Sequence, residues 1–230
     1  MMKGAFGSLF VTLVLFLIIQ TESTLARQSQ ATGKVEGVVM LAAKENPVRV
    51  GGRYGRPSRS SSSSTASTDS VLIWLESSEE TSANLPGGPV ILDQKNLSFQ
   101  PSLLPVYLNG EVRIRNSDPV YHNVFSLSPK KRFDVGRRPK GEFLDVSFDK
   151  PGPVDVFCDI HSNMRATIYV MPPSVVTWNK TQSGDSFSIE NIKDGNYELK
   201  IYALGYQERT IQINVVSGEA VNVGTLTLSN

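Results

Sequence analysis

Cysteine and histidine are nearly absent from this 230-residue chain, which holds one of the first, Cys158, and two of the second, His122 and His161. A single thiol excludes an internal disulfide. Cys158 is left as an inert buried side chain, an intermolecular link, or a ligand protected by its metal. Excess charge is missing as well, with 23 Lys and Arg against 22 Asp and Glu. Nothing global therefore points to nucleic acid or to an anionic membrane surface. Helical periodicity is also lacking, because no stretch of about ten residues or more repeats its apolar positions every 3.6 residues. Long apolar runs are absent except for Phe10 to Ile19 (FVTLVLFLII). That run follows Lys3, precedes the small-residue site Thr24-Leu25-Ala26, and has the length of a signal-peptide core. Residues 1–26 are expected to be a signal peptide, and the mature chain to be exported to the periplasm or the exterior. An uncleaved N-terminal anchor is the alternative. No stable membrane insertion is expected after cleavage, and a lipid anchor on a processed terminus would need a cysteine there.

What is present is a succession of short β-type runs separated by turn residues. The runs span Val35–Leu41, Val71–Glu76, Val90–Leu92, Leu97–Phe99, Leu103–Leu108, Glu111–Arg115, Tyr121–Leu127, Phe143–Phe148, Val154–Phe157 and Ala166–Met171. They continue through Val175–Trp178, Ser186–Ile189, Tyr197–Ala203, Arg209–Val215 and Ala220–Leu228. An all-β, antiparallel sandwich architecture is expected. Asn109-Gly110, Asp194-Gly195-Asn196 and Ser217-Gly218 read as hairpin turns, since these residues tolerate positive φ. Residues 46–70, with the run RPSRSSSSSTASTDS, cannot bury enough apolar surface to order themselves and read as a flexible loop.

The chemistry-bearing residues converge on FCDIHSNMRATI, residues 157–168. Cys158, His161 and Met164 offer a thiolate, an imidazole and a thioether on one loop between two strands. His122, the other histidine, lies at the start of the Tyr121–Leu127 run behind Asn116-Ser117-Asp118-Pro119. Two histidines and one cysteine with a weak axial methionine make a trigonal copper site. Taken one at a time, a lone cysteine, histidine or methionine is ordinarily packing or surface. A cysteine–histidine nucleophile pair is a second reading, although it leaves Met164 without a task and no helix N-terminus to activate the thiol. A structural zinc site is a third, although it would want another thiolate or a carboxylate where Met164 stands.

The stretch from about Val90 to Met171 resembles the cupredoxins. The resemblance is carried by the N-x-D before the first histidine, by the adjacent His122-Asn123, and by the C-x-x-H-x-x-M loop, which is similar to that of amicyanin-like members. The phrases FSLSPKKRFDVGRRPKG and FDKPGPVDVFCDIH resemble exported plastocyanin-like proteins of the methylamine-utilisation-like type. The resemblance implies a Greek-key β-sandwich over residues 88–171 holding one mononuclear Cu(I)/Cu(II). His122, Cys158 and His161 would be the equatorial ligands, Met164 the axial one, and Asn123 the residue tying the two ligand-bearing segments together. Members with this loop often flank the second histidine with proline, whereas Ile160 and Ser162 stand here, and Asp159 sets a carboxylate beside the thiolate. A second resemblance flanks the first. GKVEGVV with SVLIWLES, and SGDSFSIENIKDGNYELKIYALGYQERTIQINV, are similar to the two halves of a carboxypeptidase-regulatory-like (transthyretin-like) sandwich. It implies a discontinuous domain of residues 34–80 with 172–230, into which the copper domain is inserted. Two domains in series are the alternative.

The function these readings imply is one-electron transfer to a protein redox partner, without bond chemistry of the chain's own. Copper sequestration or delivery is one alternative, and a surface interaction module with a vestigial copper fold is another. Lys130, Lys131, Arg132, Arg137, Arg138 and Lys140 form a basic cluster, which reads either as a solvated loop or as steering towards an acidic partner.

Overall fold

The computed structural model describes residues 32–43, 70–78 and 88–230. The segment expected to be a signal peptide, and the expected Ser-rich loop apart from its last residue, Ser70, lie outside them. All regular structure among the described residues is β, without a helix. The first strands are β1 (Gly33–Leu41), β2 (Ser70–Glu76), β3 (Val90–Gln94), β4 (Phe99–Gln100), β5 (Leu103–Tyr107) and β6 (Glu111–Asn116). β7 (Phe125–Ser126), β8 (Phe133–Asp134), β9 (Phe143–Ser147), β10 (Gly152–Phe157) and β11 (Arg165–Met171) follow. The last are β12 (Val175–Gln182), β13 (Ser186–Ile192), β14 (Gly195–Ala203), β15 (Arg209–Val215) and β16 (Ala220–Leu228).

These strands form four sheets, ordered β4-β3-β6-β9, β5-β11-β10-β7-β8, β12-β2-β14-β15 and β13-β1-β16. Three apolar clusters lie between successive sheets, so the sheets stack as four layers. Leu92, Val112 and Ile114 meet Val106, Val156 and Ile168 between the first and second sheets. Leu72, Trp74 and Tyr202 meet Leu103, Tyr169 and Met171 between the second and third. Val71, Ile73 and Leu199 meet Val35, Ile189 and Leu226 between the third and fourth.

Stacking explains two sequence runs that do not alternate. In β2, Val71, Ile73 and Leu75 face one cluster while Leu72 and Trp74 face the next, so VLIWL is apolar throughout. β11 is built likewise, with Ala166, Ile168 and Val170 on one side and Tyr169 and Met171 on the other. A strand wet on neither face has no position for a polar residue unless that residue is bonded. Thr167 is such a case, buried and donating its hydroxyl to Asp155 Oδ1 at 2.7 Å.

Some turn and strand expectations are corrected. None of the three glycine turns closes a hairpin. Asn109-Gly110 joins β5 to β6, Gly195 begins β14 after β13, and Ser217-Gly218 joins β15 to β16, and each pair of strands lies in different sheets. Positive φ, seen at Asn109 (63°) and Gly218 (80°), lets a chain reverse, but the reversal here crosses a core instead of returning alongside. Nor is pairing purely antiparallel, because β1–β16, β3–β6 and β5–β11 run parallel. The run Tyr121–Leu127 is a strand only at Phe125–Ser126. His122 stands instead in an isolated bridge with Arg138. Leu97 belongs to a turn with φ 54° and not to a strand.

Candidate metal centre

Alternation along β10 turns Val154 and Val156 into the core, and Cys158, two residues on, continues on that side. Its thiol is buried, while Asp159 and Ile160 point to solvent. The loop then folds back on itself. Met164 N–H donates to the His161 carbonyl at 2.9 Å, and Cys158 N–H donates to the Met164 carbonyl at 3.3 Å. These bonds make the β10–β11 connection a short closed hairpin, with Met164 buried beside Cys158 in the same apolar cluster. His161 is half-buried at the loop's outer edge.

His122 comes from the connection between β6 and β7. It is fully buried, and its backbone is fixed by two bonds with Arg138, N–H to carbonyl at 3.2 Å and carbonyl to N–H at 2.7 Å. The two imidazole rings meet edge-on, 62° apart. Both present Nδ1 to the thiol. Cys158 Sγ lies 3.8 Å from His122 Nδ1 and 4.0 Å from His161 Nδ1, and the two nitrogens are 3.1 Å apart. The point equidistant from these atoms lies about 2.1 Å from each, within the span of about 2.0–2.3 Å of transition-metal bonds to imidazole and thiolate. The donor triangle therefore fits a transition-metal ion without rearrangement, and His122, Cys158 and His161 form the His/Cys metal-type cluster of the described residues.

One residue of the site went unassigned at the sequence level. Asp118 Oδ2 lies 2.9 Å from His122 Nε2, the ring nitrogen facing away from the triangle. The carboxylate also accepts the N–H groups of Asn96 at 2.7 Å and Leu97 at 2.9 Å. Burial pushes the Asp118 carboxyl up, but the Leu97 amide, His122 and the Asn96 amide outweigh it and hold it below the usual range. Asn116 supports the bend, accepting Asp118 N–H and donating to the carbonyls of Val120 and Arg138. The available signal was the N-x-D motif four residues before the histidine. Asn123 is buried beside His122, with its carbonyl accepting from Gln94 Nε2 at 3.3 Å and its own Oδ1 without a partner.

The basic cluster divides. Lys130 lies against Gly152 and Lys131 is 3.9 Å from Asp149, at the end of β10 remote from Cys158. Arg137 is 3.9 Å from Asp159, and Arg138 is 3.4 Å from Glu142, at the ligand end.

No known protein-family description matches the chain, and no curated protein does. Among solved structures, a copper-containing nitrite reductase from Thermus scotoductus SA-01 is 23% identical over 40% of this chain, with a TM-score of 0.35. The chain spans 25% of that reductase. A Cu(I) form of an amicyanin variant is 19% identical over 42% of this chain and 97% of its own, with a TM-score of 0.34. A purple cupredoxin from Nitrosopumilus maritimus is 18% identical over 35% of this chain and 98% of its own, with a TM-score of 0.32. Structural neighbours of the chain are thus cupredoxins, matched in part. What the chain can do is set by its own donor atoms.

Proposed function

We propose that this chain is an exported one-electron carrier whose single copper ion is held by His122, Cys158 and His161, with Met164 as the weak fourth donor. The observation that carries this reading is the donor triangle itself, in which one thiolate sulfur and two Nδ1 atoms surround a point at bonding distance, with His122 and Cys158 buried and His161 half-buried. Soft sulfur with imidazole selects copper over oxygen-loving cations, and among the described residues no second thiolate or carboxylate joins the triangle, which sets it apart from structural zinc sites. Bound there, copper would supply a Cu(I)/Cu(II) couple. The protein's task is to keep the donors fixed in both oxidation states. The burial of His122 and Cys158 and the closed loop from Cys158 to Met164 serve that task.

His161, half-buried at the rim, is the exit for the electron. Val120 and Tyr121 before His122, and Ile160 before His161, are exposed apolar side chains at 42%, 59% and 38%. They offer a partner protein a low-polarity face close to the donors, with Arg137 at its edge. The copper-binding segment is an insertion into the second sandwich. Ser77 N–H donates to the Ser174 carbonyl at 3.0 Å, so the chain leaves and re-enters at adjacent points, as insertion requires.

The test is a visible and electron-spin-resonance spectrum of the chain from Arg27 with added Cu(II), beside Cys158→Ser. An intense blue band with narrow copper hyperfine splitting, lost in the variant, is expected. A colourless protein, or an ordinary Cu(II) spectrum indifferent to the substitution, would sink the reading. Rapid loss of the metal to a mild chelator would point to copper delivery instead.

A further inference from the structure

Asp118 is more extensively bonded than a surface turn requires. Its side chain is buried, yet it is no part of the donor triangle. Oδ1 takes the Asn96 N–H, and Oδ2 takes both the Leu97 N–H and the His122 ring. The two amides come from a tight turn closed by reciprocal bonds between Lys95 and Ser98, at 2.9 and 3.3 Å. Asn96 and Leu97 both sit in the left-handed region, at φ 57° and 54°. That region is unfavourable for a leucine, and successive N–H groups in such a turn make a pocket for an anion. The turn is thus shaped to hold a carboxylate, and the second lone pair of Oδ2 is spent on the histidine.

We propose that Asp118 is a positioning residue that commits His122 to one tautomer. The Nε2 proton is held by Oδ2, so the Nδ1 lone pair points into the triangle whether or not a metal is present. This inference rests on the copper reading and deepens it. A carboxylate bonded to the far side of a ligating imidazole makes the ring a stronger electron donor. A stronger donor stabilises Cu(II) over Cu(I), so Asp118 lowers the reduction potential of the site. The Lys95–Ser98 turn, remote in sequence from every ligand, then becomes part of the centre.

The experiment has one arm without metal and one with it. Ring nitrogen and carbon-bound proton correlations by NMR, at a pH where both histidines are neutral, report the His122 tautomer in the metal-free chain. The wild type should show the Nε2–H form alone, and Asp118→Ala should populate the Nδ1–H form. With copper added, Asp118→Ala should weaken Cu(II) binding by about 10- to 100-fold. Cu(I) binding should weaken less, so the potential rises. Leu97→Gly keeps both turn amides and should change neither readout, which separates the carboxylate's role from the turn's. A wild-type ring with the proton on Nδ1 overturns the proposal even if the Ala variant does not fold. So does an Asp118→Ala chain with an unchanged ratio of Cu(II) to Cu(I) affinity. A wild type with the expected tautomer that binds no copper overturns the electron-transfer reading and the effect on potential, while the tautomer assignment stands.

Discussion

Met164 is the proposed donor whose role depends most on its own atom. It is buried in the apolar cluster that contains Cys158, so as a packing residue it is replaceable by leucine at a cost below about 1.5 kcal/mol. As an axial ligand it is not replaceable, because leucine has no donor. Met164→Leu is expected to leave melting nearly unchanged, to keep the blue band, and to raise the reduction potential by removing electron density from Cu(II). Voltammetry on the two proteins decides it, and an identical potential would make Met164 a packing residue only. The proposed ligands stand out in the sequence because the chain has so few candidates. With two histidines and one cysteine in all, a single site absorbs the whole inventory, and their spacing in the chain suffices to suggest it. Asp118, although its N-x-D motif was visible, had no role legible in the sequence for the opposite reason. An aspartate between serine and proline is an ordinary turn former, and nothing in its neighbours shows that Asn96 and Leu97 come round to meet it. Asn123 reads as a tie between segments from its place beside His122, yet its Oδ1 is left unpaired.

Among the elements, the parallel pair β3–β6 shows how charge fixes a register. Asp93 and Arg115 are direct partners in the ladder, and their side chains bond at 2.6 Å, with the Ser117 hydroxyl donating to the same carboxylate oxygen at 2.9 Å. Burial pushes the Asp93 carboxyl up, but Arg115 and Ser117 together outweigh it and hold it below its ordinary value. A carboxyl depressed on folding stabilises the native state above its unfolded value, about 3.9 for aspartate. That contribution is lost as the pH falls from there through the folded value. Asp93→Asn should therefore flatten the acid limb of a stability–pH curve, while Asp118 and Asp145, also depressed, keep part of it. Urea midpoints between pH 6 and pH 3 would show this, and an unchanged acid slope would mean that the pair contributes nothing to folding. Strands themselves were readable from their branched and aromatic runs, whereas their partners were not. Asn109-Gly110 announces a reversal, but only the neighbours of β5 and β6, namely β11 and β3, reveal that the chain has changed sheets. Tyr121–Leu127 misled because its residues favour strands while the bonds of Asp118 and Asn116 hold the chain in a bend.

Across the whole molecule, the sandwich that carries the His/Cys cluster shares an apolar junction with its neighbour. Trp74 is fully buried between them, its ring 4.9 Å from that of Tyr169, which lies 4.9 Å from that of Tyr202. Tyr169 also donates its hydroxyl to Glu208 at 2.6 Å, and burial raises its pKa above the ordinary tyrosine value, so it remains a donor. β11 carries this junction at one end and follows Met164 at the other, so the strand that fixes the ligand loop is clamped by the second sandwich. Separate folding would leave Leu72, Trp74, Leu103 and Met171 facing water, each forfeiting about 1.5–3 kcal/mol of burial. Heating should therefore unfold the copper-loaded chain in one transition, with blue absorbance and far-ultraviolet circular dichroism lost together. Trp74→Ala should cost about 3–5 kcal/mol without changing the blue spectrum at low temperature, because Trp74 belongs to a different cluster from Cys158 and Met164. On heating, the two signals in that variant should separate, with the second sandwich melting first and the metal holding its own half together. Separate transitions already in the wild type would mean that the junction is packed but not cooperative, and the segment proposed as an insertion would then be expected to hold copper when expressed alone.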